Sequence, residues 1–233
     1  MITSLENSKI KYLQKLALSK FRKKEQCFVV EGTHLVCEAR NLGLLIEAYS
    51  LEEKEGYIAI SKALMKSICH TDTVVSEIGL CKMTSATKTI GNVLILDGIQ
   101  DPGNMGALLR SACAFGFKTI FIAEGSCDIY NPKVIRSSQG AIFKLQFIFG
   151  NIVDYILSLK KYSIYGTNVV KGIDVRDITL NQPVGLILGN EGNGISKPVQ
   201  DLNLNNIYIP MQQTESLNVA VAGSILMYEL NNK

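Results

Sequence analysis

The chain has 233 residues and a mass of 25.6 kDa, is 47% hydrophobic and 19% charged, and carries a formal net charge of +3. That balance excludes a disordered polyelectrolyte, and the lack of any Gly-X-Y period excludes a collagen-like fibre. No apolar run approaches the ~18 residues of a membrane span. Residues 1–18 are polar and lysine-bearing, without the apolar core of a secretory signal, so the sequence predicts a cytoplasmic protein with no membrane partner.

The length fits one large or two small domains and is sufficient to bury a core without metals or disulfides. Six cysteines (Cys27, Cys37, Cys69, Cys81, Cys113, Cys127) form no Cys-x-x-Cys pair and match no zinc or disulfide spacing, which predicts buried free thiols in a reducing compartment. Only His34 and His70 are present, too few for a metal hydrolase or a serine-histidine triad near the glycine-rich half, and no metal site is expected.

In chain order, residues 9–24 hold seven lysines and arginines and no acid, with Leu13, Leu16 and Ala17 at helical spacing. This predicts an amphipathic helix followed by a charged turn. The basic block is either a solvated helix face or a surface that tracks phosphates, with Lys20, Arg22, Lys23 and Lys24 at its centre. A strand at 27–30, a helix at 33–41, alternation over 57–60 and a helix from Ser61 complete a small mixed α/β module. Residues 82–92, small and polar, read as a linker. All five prolines lie beyond residue 100. There, strands are predicted at 93–99, 119–123, 144–149, 163–169, 184–188 and 207–209. Helices are predicted at 105–115, 132–138, 152–160 and 217–230. This order gives an α/β fold with a mostly parallel sheet covered by helices on both faces.

Ligands of such sheets bind beyond the carboxyl ends of the strands, and three loops there carry chemistry. In D-G-I-Q-D-P-G-N-M-G-A-L-L-R, Asn104 stands where a helix is expected to begin, a favoured capping position. Arg110 lies nearly two turns further on, among apolar neighbours, where it must snorkel or meet an anion. In G-N-E-G-N-G, Gly189, Gly192 and Gly194 follow an apolar strand and let a ligand approach the backbone. That loop is neither a dinucleotide fingerprint nor a P-loop; Glu191 within it is a functional or turn-stabilising carboxylate. In I-Y-I-P-M-Q-Q-T-E-S-L-N, Pro210 ends a strand and Ser216 is placed to cap a last helix so apolar that burial on every side is expected.

Taken together and in this order, these segments resemble the SpoU (TrmH-like) branch of the SPOUT methyltransferases. The resemblance rests on Asn104-x5-Arg110, on Asn190–Gly194 as Asn-Glu-Gly-x-Gly, on Ile209–Met211 as Ile-Pro-Met, and on Glu215–Val219 as Glu-Ser-Leu-Asn-Val. N-P-K-V-I-R-S-S-Q-G-A-I-F-K-L, which contains Arg136, matches the stretch such enzymes carry between their first two motifs. K-Y-L-Q-K-L and F-R-K-K-E-Q-C-F-V-V-E-G-T-H-L-V-C-E-A resemble the family's N-terminal substrate-binding module, an RNA-binding ribosomal-protein fold.

The resemblance implies two domains, residues 1–85 binding RNA and residues 91–233 forming a methyltransferase with a deep trefoil knot. It implies S-adenosylmethionine as cofactor, a ribose 2′-hydroxyl of RNA as acceptor, ribosomal RNA favoured over transfer RNA, and a homodimer through the knotted domain with Arg110 near the boundary. Asn104, Arg110, Glu191, Ser216 and Asn218 would be the catalytic set. Thr167, Gly189, Ile209, Met211 and Leu217 would wall the cofactor pocket, and Lys20, Arg22, Lys23, Lys24 and Arg136 would meet RNA. Arg110 would serve either as the base or as a holder of phosphate and developing oxyanion; arginine does not normally give up its proton.

Two departures stand out. Only Gln212, Gln213 and Thr214 separate Met211 from Glu215, one residue fewer than relatives commonly have, and residues 71–80 match the end of the N-terminal module poorly. The rival readings are a nucleotide-dependent oxidoreductase, which lacks its fingerprint here, and a non-catalytic RNA-binding protein, which would not need the polar set.

Overall fold

The structure, a computed structural model, describes residues 1–169, 171–180 and 182–233. The chain divides into two units: Met1–Met83 with Asp128–Phe143, and Thr84–Cys127 with Lys144–Lys233.

In the first unit, the basic stretch is two helices, α1 (Ser8–Lys15) and α2 (Ser19–Glu25), and Gln26 in the left-handed region ends the second. Strand β1 (Cys27–Glu31), α3 (Thr33–Asn41), β2 (Leu45–Ser50), β3 (Ile58–Ala59), α4 (Lys62–Ile68) and β4 (Glu77–Lys82) follow. The sheet runs β1-β4-β2-β3, antiparallel except for the β2/β3 pair. Its core joins Ile10 and Leu13 of α1 to Leu64, Met65 and Ile68 of α4 over Tyr49 and Ile78. Ser61 caps α4 by accepting from Leu64 N.

The segment Asp128–Phe143, which lies beyond the linker in sequence, packs with this unit. The reason is aromatic. Tyr130 lies 4.6 Å and Phe143 6.2 Å, centroid to centroid, from the buried Phe28 of β1.

In the second unit, the strands are β5 (Asn92–Asp97), β6 (Phe117–Ala123), β7 (Gln146–Gly150), β8 (Ser163–Thr167), β9 (Ile173–Asp174), β10 (Val184–Gly189) and β11 (Asn205–Tyr208). The helices are α5 (Pro102–Ala114), α7 (Ile152–Ser158), α8 (Lys197–Gln200) and α9 (Val219–Asn231), while α6 (Pro132–Ser138) belongs to the first unit. All seven strands are parallel, in the order β7-β6-β5-β10-β8-β11-β9. The central β10 is buried at every position, as a parallel strand with helices on both faces requires.

Two caps differ from the sequence expectation. Asp101, not Asn104, caps α5, its carboxylate accepting from Asn104 N at 2.8 Å. Pro102 sits at the first helical position, where its missing N–H costs nothing. Asn218, not Ser216, caps α9 by accepting from Ala220 N and Val221 N.

Nor is α9 covered on every side. Gly223, Leu226, Met227 and Leu230 face inward, but Val221 and Tyr228 are about half exposed, at 48% and 53%. The cysteines are free, and of the six only Cys81 is fully buried; Cys37 is exposed and the others are half-buried, so the expectation of buried thiols is corrected to partial burial. Among the described residues there is no cluster that could hold a metal, and no helix is long and apolar enough to cross a membrane.

Candidate active site

The parallel register brings the functional loops to one edge of the second unit. Asp97, the last residue of β5, stands opposite Gly189, the last of β10, and Thr167 of β8 stands opposite Ile207 of β11. A cavity of about 990 Å³ opens beyond these strand ends, at the upper end of the range typical of small-molecule sites. Thr167, Gly189, Ile209, Met211 and Leu217 all line it, as do Glu191, Ser216 and Asn218. Leu188, Val199 and Leu226 supply apolar wall. Thr167 is fixed by donating to Ile187 O at 3.1 Å.

One carboxamide links the three loops. The amide nitrogen of Asn104 donates to Glu191 Oε1 at 3.1 Å. Only its NH2 can face a carboxylate, which leaves Oδ1 to accept from Asn218 Nδ2 at 3.0 Å. Asn218 in turn caps α9 with its own oxygen. Glu191 also accepts from Gln100 N and Asp101 N, each at 3.3 Å, so it grips the turn that launches α5. Burial pushes the Glu191 carboxyl upward. The donors from Asn104 and the Gln100 and Asp101 amides outweigh it and hold it below the usual value, so it stays ionised at neutral pH.

Asn190 and Asp97 belong to this frame too, although the sequence singled out neither as a site residue. Asn190 Nδ2 donates to Gly98 O at 2.9 Å, while its Oδ1 accepts from Gly192 N and Asn193 N. The buried Asp97 accepts from Ser196 N at 2.7 Å. The available signals were an acid closing an otherwise apolar strand and an asparagine opening a glycine loop, the residue type that bonds its own turn.

Gly189 lies where the hairpin closed by Asn190 and Gly194 folds back over the strand end. A Cβ there would be driven into the backbone of Gly194 and Ile195. Backbone cannot swing aside as a side-chain tip can, so Gly189→Ala should displace the loop at a cost of about 1–3 kcal/mol. Ligand affinity at the cavity should then fall about 10- to 100-fold, read by calorimetry. An unchanged dissociation constant would show that the loop does not shape the pocket.

Two expected catalytic residues sit apart from this network. Ser216 lines the cavity, but α9 is capped without it. Arg110 is exposed on α5, away from the cavity wall. Beside it, Ser111 and Ser224 share a 2.7 Å hydrogen bond that ties α5 to α9, and Phe115 meets Tyr228 edge to face.

The family model "SpoU rRNA Methylase family" matches residues 91–228, and "MRM3-like substrate binding domain" matches residues 7–79. The chain belongs to the SpoU rRNA methylase family. Among its relatives, the 23S rRNA (guanosine(2553)-2'-O)-methyltransferase RlmP of Bacillus subtilis (strain 168) is 34% identical over 98% of both chains. A solved structure of a putative RNA methyltransferase of the TrmH family from Porphyromonas gingivalis is 30% identical, with a TM-score of 0.84 over 97% of this chain and 98% of that one. An AdoMet-bound rRNA methyltransferase from Sinorhizobium meliloti is 24% identical and shares the fold, with a TM-score of 0.89 over 99% and 97% of the two chains.

For a SpoU family member, the expected RNA surface divides in two. Lys20, Lys23 and Lys24 are exposed on α2. Arg22 is not: it is 4% exposed, its guanidinium donating to Leu16 O, Ala17 O and Asp128 Oδ2. Its assignment to RNA is therefore corrected; Arg22 is a structural residue whose charge is consumed inside the first unit. Arg136 is half-buried on α6 and lines a second cavity in that unit.

Proposed function

We propose that the protein transfers a methyl group from S-adenosylmethionine to a ribose 2′-hydroxyl of ribosomal RNA. The observation that carries this reading is the chain of hydrogen bonds Glu191–Asn104–Asn218 at the mouth of a cavity lined by all five residues expected to hold the cofactor. That cavity suits such a ligand. Apolar walls from Leu188 and Leu226 can cover an adenine, and the loop from Asn190 to Gly194 lines the cavity with peptide groups for main-chain recognition. When bound, S-adenosylmethionine supplies an electrophilic methyl that needs little activation.

The ribose hydroxyl is the poor nucleophile, so the chain's task is alignment and charge stabilisation. Asn104 and Asn218 hold the loop ends in register, and the ionised Glu191 fixes the start of α5. The fork-shaped guanidinium of Arg110 receives the RNA phosphate beside the reacting ribose and stabilises the developing oxyanion, while water or that phosphate takes the hydroxyl proton. Ser216 orders the third loop. Lys20, Lys23 and Lys24 draw RNA to the first unit by counterion release.

The reading extends to assembly and location. The half-exposed Val221 and Tyr228 of α9, beside Arg110, form the surface through which two copies pair. Residues 1–85 bind substrate, residues 91–233 form the knotted methyltransferase, and the protein works in the cytoplasm.

The test incubates purified protein with tritiated S-adenosylmethionine and ribosomal RNA from a strain deleted for its gene, then maps the product. A single 2′-O-methyl nucleotide is expected. Label appearing on a base, or no label on free RNA or on assembled ribosomal particles, would overturn the proposal.

A further inference from the structure

The glycine hairpin that follows β10 is tied to β5 and its loop through both limbs, and different residues hold each limb. The outgoing limb is fixed by Asn190 Nδ2 donating to Gly98 O, and by Glu191 accepting from the Gln100 and Asp101 amides and from Asn104. Among the described residues the returning limb, 194–196, reaches β5 through one hydrogen bond, from Ser196 N to Asp97 Oδ2 at 2.7 Å. A bridge between Asn190 and Gly194 joins the limbs. Gln200 Nε2 also donates to Ile195 O, but from α8, a helix capped by Ser196 itself.

Asp97 is a costly residue with which to close β5. The four apolar residues before it are fully buried, and Asp97 is 6% exposed. Among the described residues the Ser196 amide is the only hydrogen-bond donor to its carboxylate. One donor does not offset the removal of a carboxylate from water, so an apolar side chain would suit the fold better. What the carboxylate supplies is placement. Asp97 stands opposite Gly189 in the strand register, and the backbone of Gly194 and Ile195 lies so close over Gly189 that a Cβ there would have no room. Gly189, Gly194 and Ile195 all wall the cofactor cavity.

We propose that Asp97 is a positioning residue for S-adenosylmethionine: it pins the returning limb over the end of β10 and so shapes the wall the cofactor meets. The inference rests on the cofactor reading above. The outgoing limb, tied through Glu191 and Asn104 to the start of α5, does not depend on this bond. Loss of Asp97 therefore falls on the cofactor and spares RNA affinity.

The experiment titrates S-adenosylmethionine, and separately ribosomal RNA, into full-length Asp97→Ala, Asp97→Asn and Ser196→Pro, each first shown to be folded by its melting transition. Asp97→Ala removes the acceptor and should raise the cofactor dissociation constant about tenfold or more, with RNA affinity unchanged. Asp97→Asn keeps an oxygen for Ser196 N and should restore most of that loss. Ser196→Pro, at a φ of −63° that proline adopts, removes the donor instead and should reproduce the Asp97→Ala defect, which keeps the test open if the alanine variant does not fold. In turnover, the Asp97→Ala loss should fall on the cofactor KM, whereas Glu191→Gln should lower kcat. An unchanged cofactor dissociation constant in the folded variants overturns the proposal. So does a loss that Asp97→Asn fails to restore, or an RNA affinity that falls in step. A wild-type protein that binds no S-adenosylmethionine overturns the cofactor reading with it.

Discussion

Arg110→Ala is expected to fold, to bind S-adenosylmethionine with unchanged affinity, and to lose methyl transfer by about 10²- to 10³-fold, the cost of removing one preorganised donor from a developing oxyanion. Folding should survive because the side chain is exposed on α5, outside the hydrogen bonds that launch the helix from Asp101 and Glu191. Alanine is also the better helix former. Cofactor affinity should survive because Arg110 is not among the residues lining the cavity.

Steady-state constants separate its two possible duties. A fall in kcat with the RNA KM unchanged places the guanidinium on the reacting oxygen; a rise in KM alone restricts it to the phosphate. Arg110→Lys keeps the charge but not the two-pronged fork, and should recover only part of the rate. Turnover at the wild-type rate in Arg110→Ala would remove the residue from the catalytic set. Because Arg110 is exposed beside the open face of α9, co-expressing Arg110→Ala with a Glu191→Gln chain adds a readout. Activity of the co-expressed pair, above that of either parent, would mean that two copies pair and that one copy's arginine serves the other's cavity.

What the sequence made legible follows from how local each signal is. Strands β5 and β10 announce themselves as V-L-I-L-D and V-G-L-I-L-G, because a strand covered on both faces can be continuously apolar. The glycine loop after β10 was legible for the same reason: it interrupts such a run. The helix starts were harder. Asp101 and Asn104 are both good caps three residues apart, as are Ser216 and Asn218 two apart, and residue type alone cannot choose between them. Pro102 could have chosen in the first case, since it marks the first helical position. Strands β2 and β4 went unassigned because their burial depends on packing against α1, α3 and α4 rather than on a clean period of two. Least legible was anything made by distant residues. The placement of 128–143 with the first unit rests on Phe28 meeting Tyr130 and Phe143, which no local pattern encodes.

Arg22 is the sharpest case of that limit, and removing it should produce the largest stability loss in the first unit. By charge and position it is indistinguishable from Lys20, Lys23 and Lys24, yet its partner Asp128 lies 106 residues away in sequence at 2.6 Å. The same guanidinium accepts two duties at the end of α1, donating to Leu16 O at 2.8 Å and Ala17 O at 2.7 Å. Arg22→Ala strands a half-buried carboxylate and two carbonyls at once, and should destabilise the protein by about 3–5 kcal/mol in chemical denaturation. Arg22→Lys keeps the charge but cannot reach three acceptors with one ammonium, so it should recover only a fraction.

The pH dependence gives an independent check. Burial alone would raise the Asp128 carboxyl, but donors from Ser19, Arg22 and Tyr130 N outweigh it and hold it below the usual value. A carboxyl depressed in the folded state stabilises the fold above its unfolded value, near 3.8, and loses that contribution as pH falls through the folded one. Arg22→Ala lacks that contribution, so its stability deficit against the wild type should be full above pH 3.8 and should narrow as pH falls through the folded value of Asp128. The salt dependence of RNA binding, measured where the variant is still folded, should not change, because this charge never reaches the surface. A normal stability with a flattened salt slope would return Arg22 to the RNA-binding face.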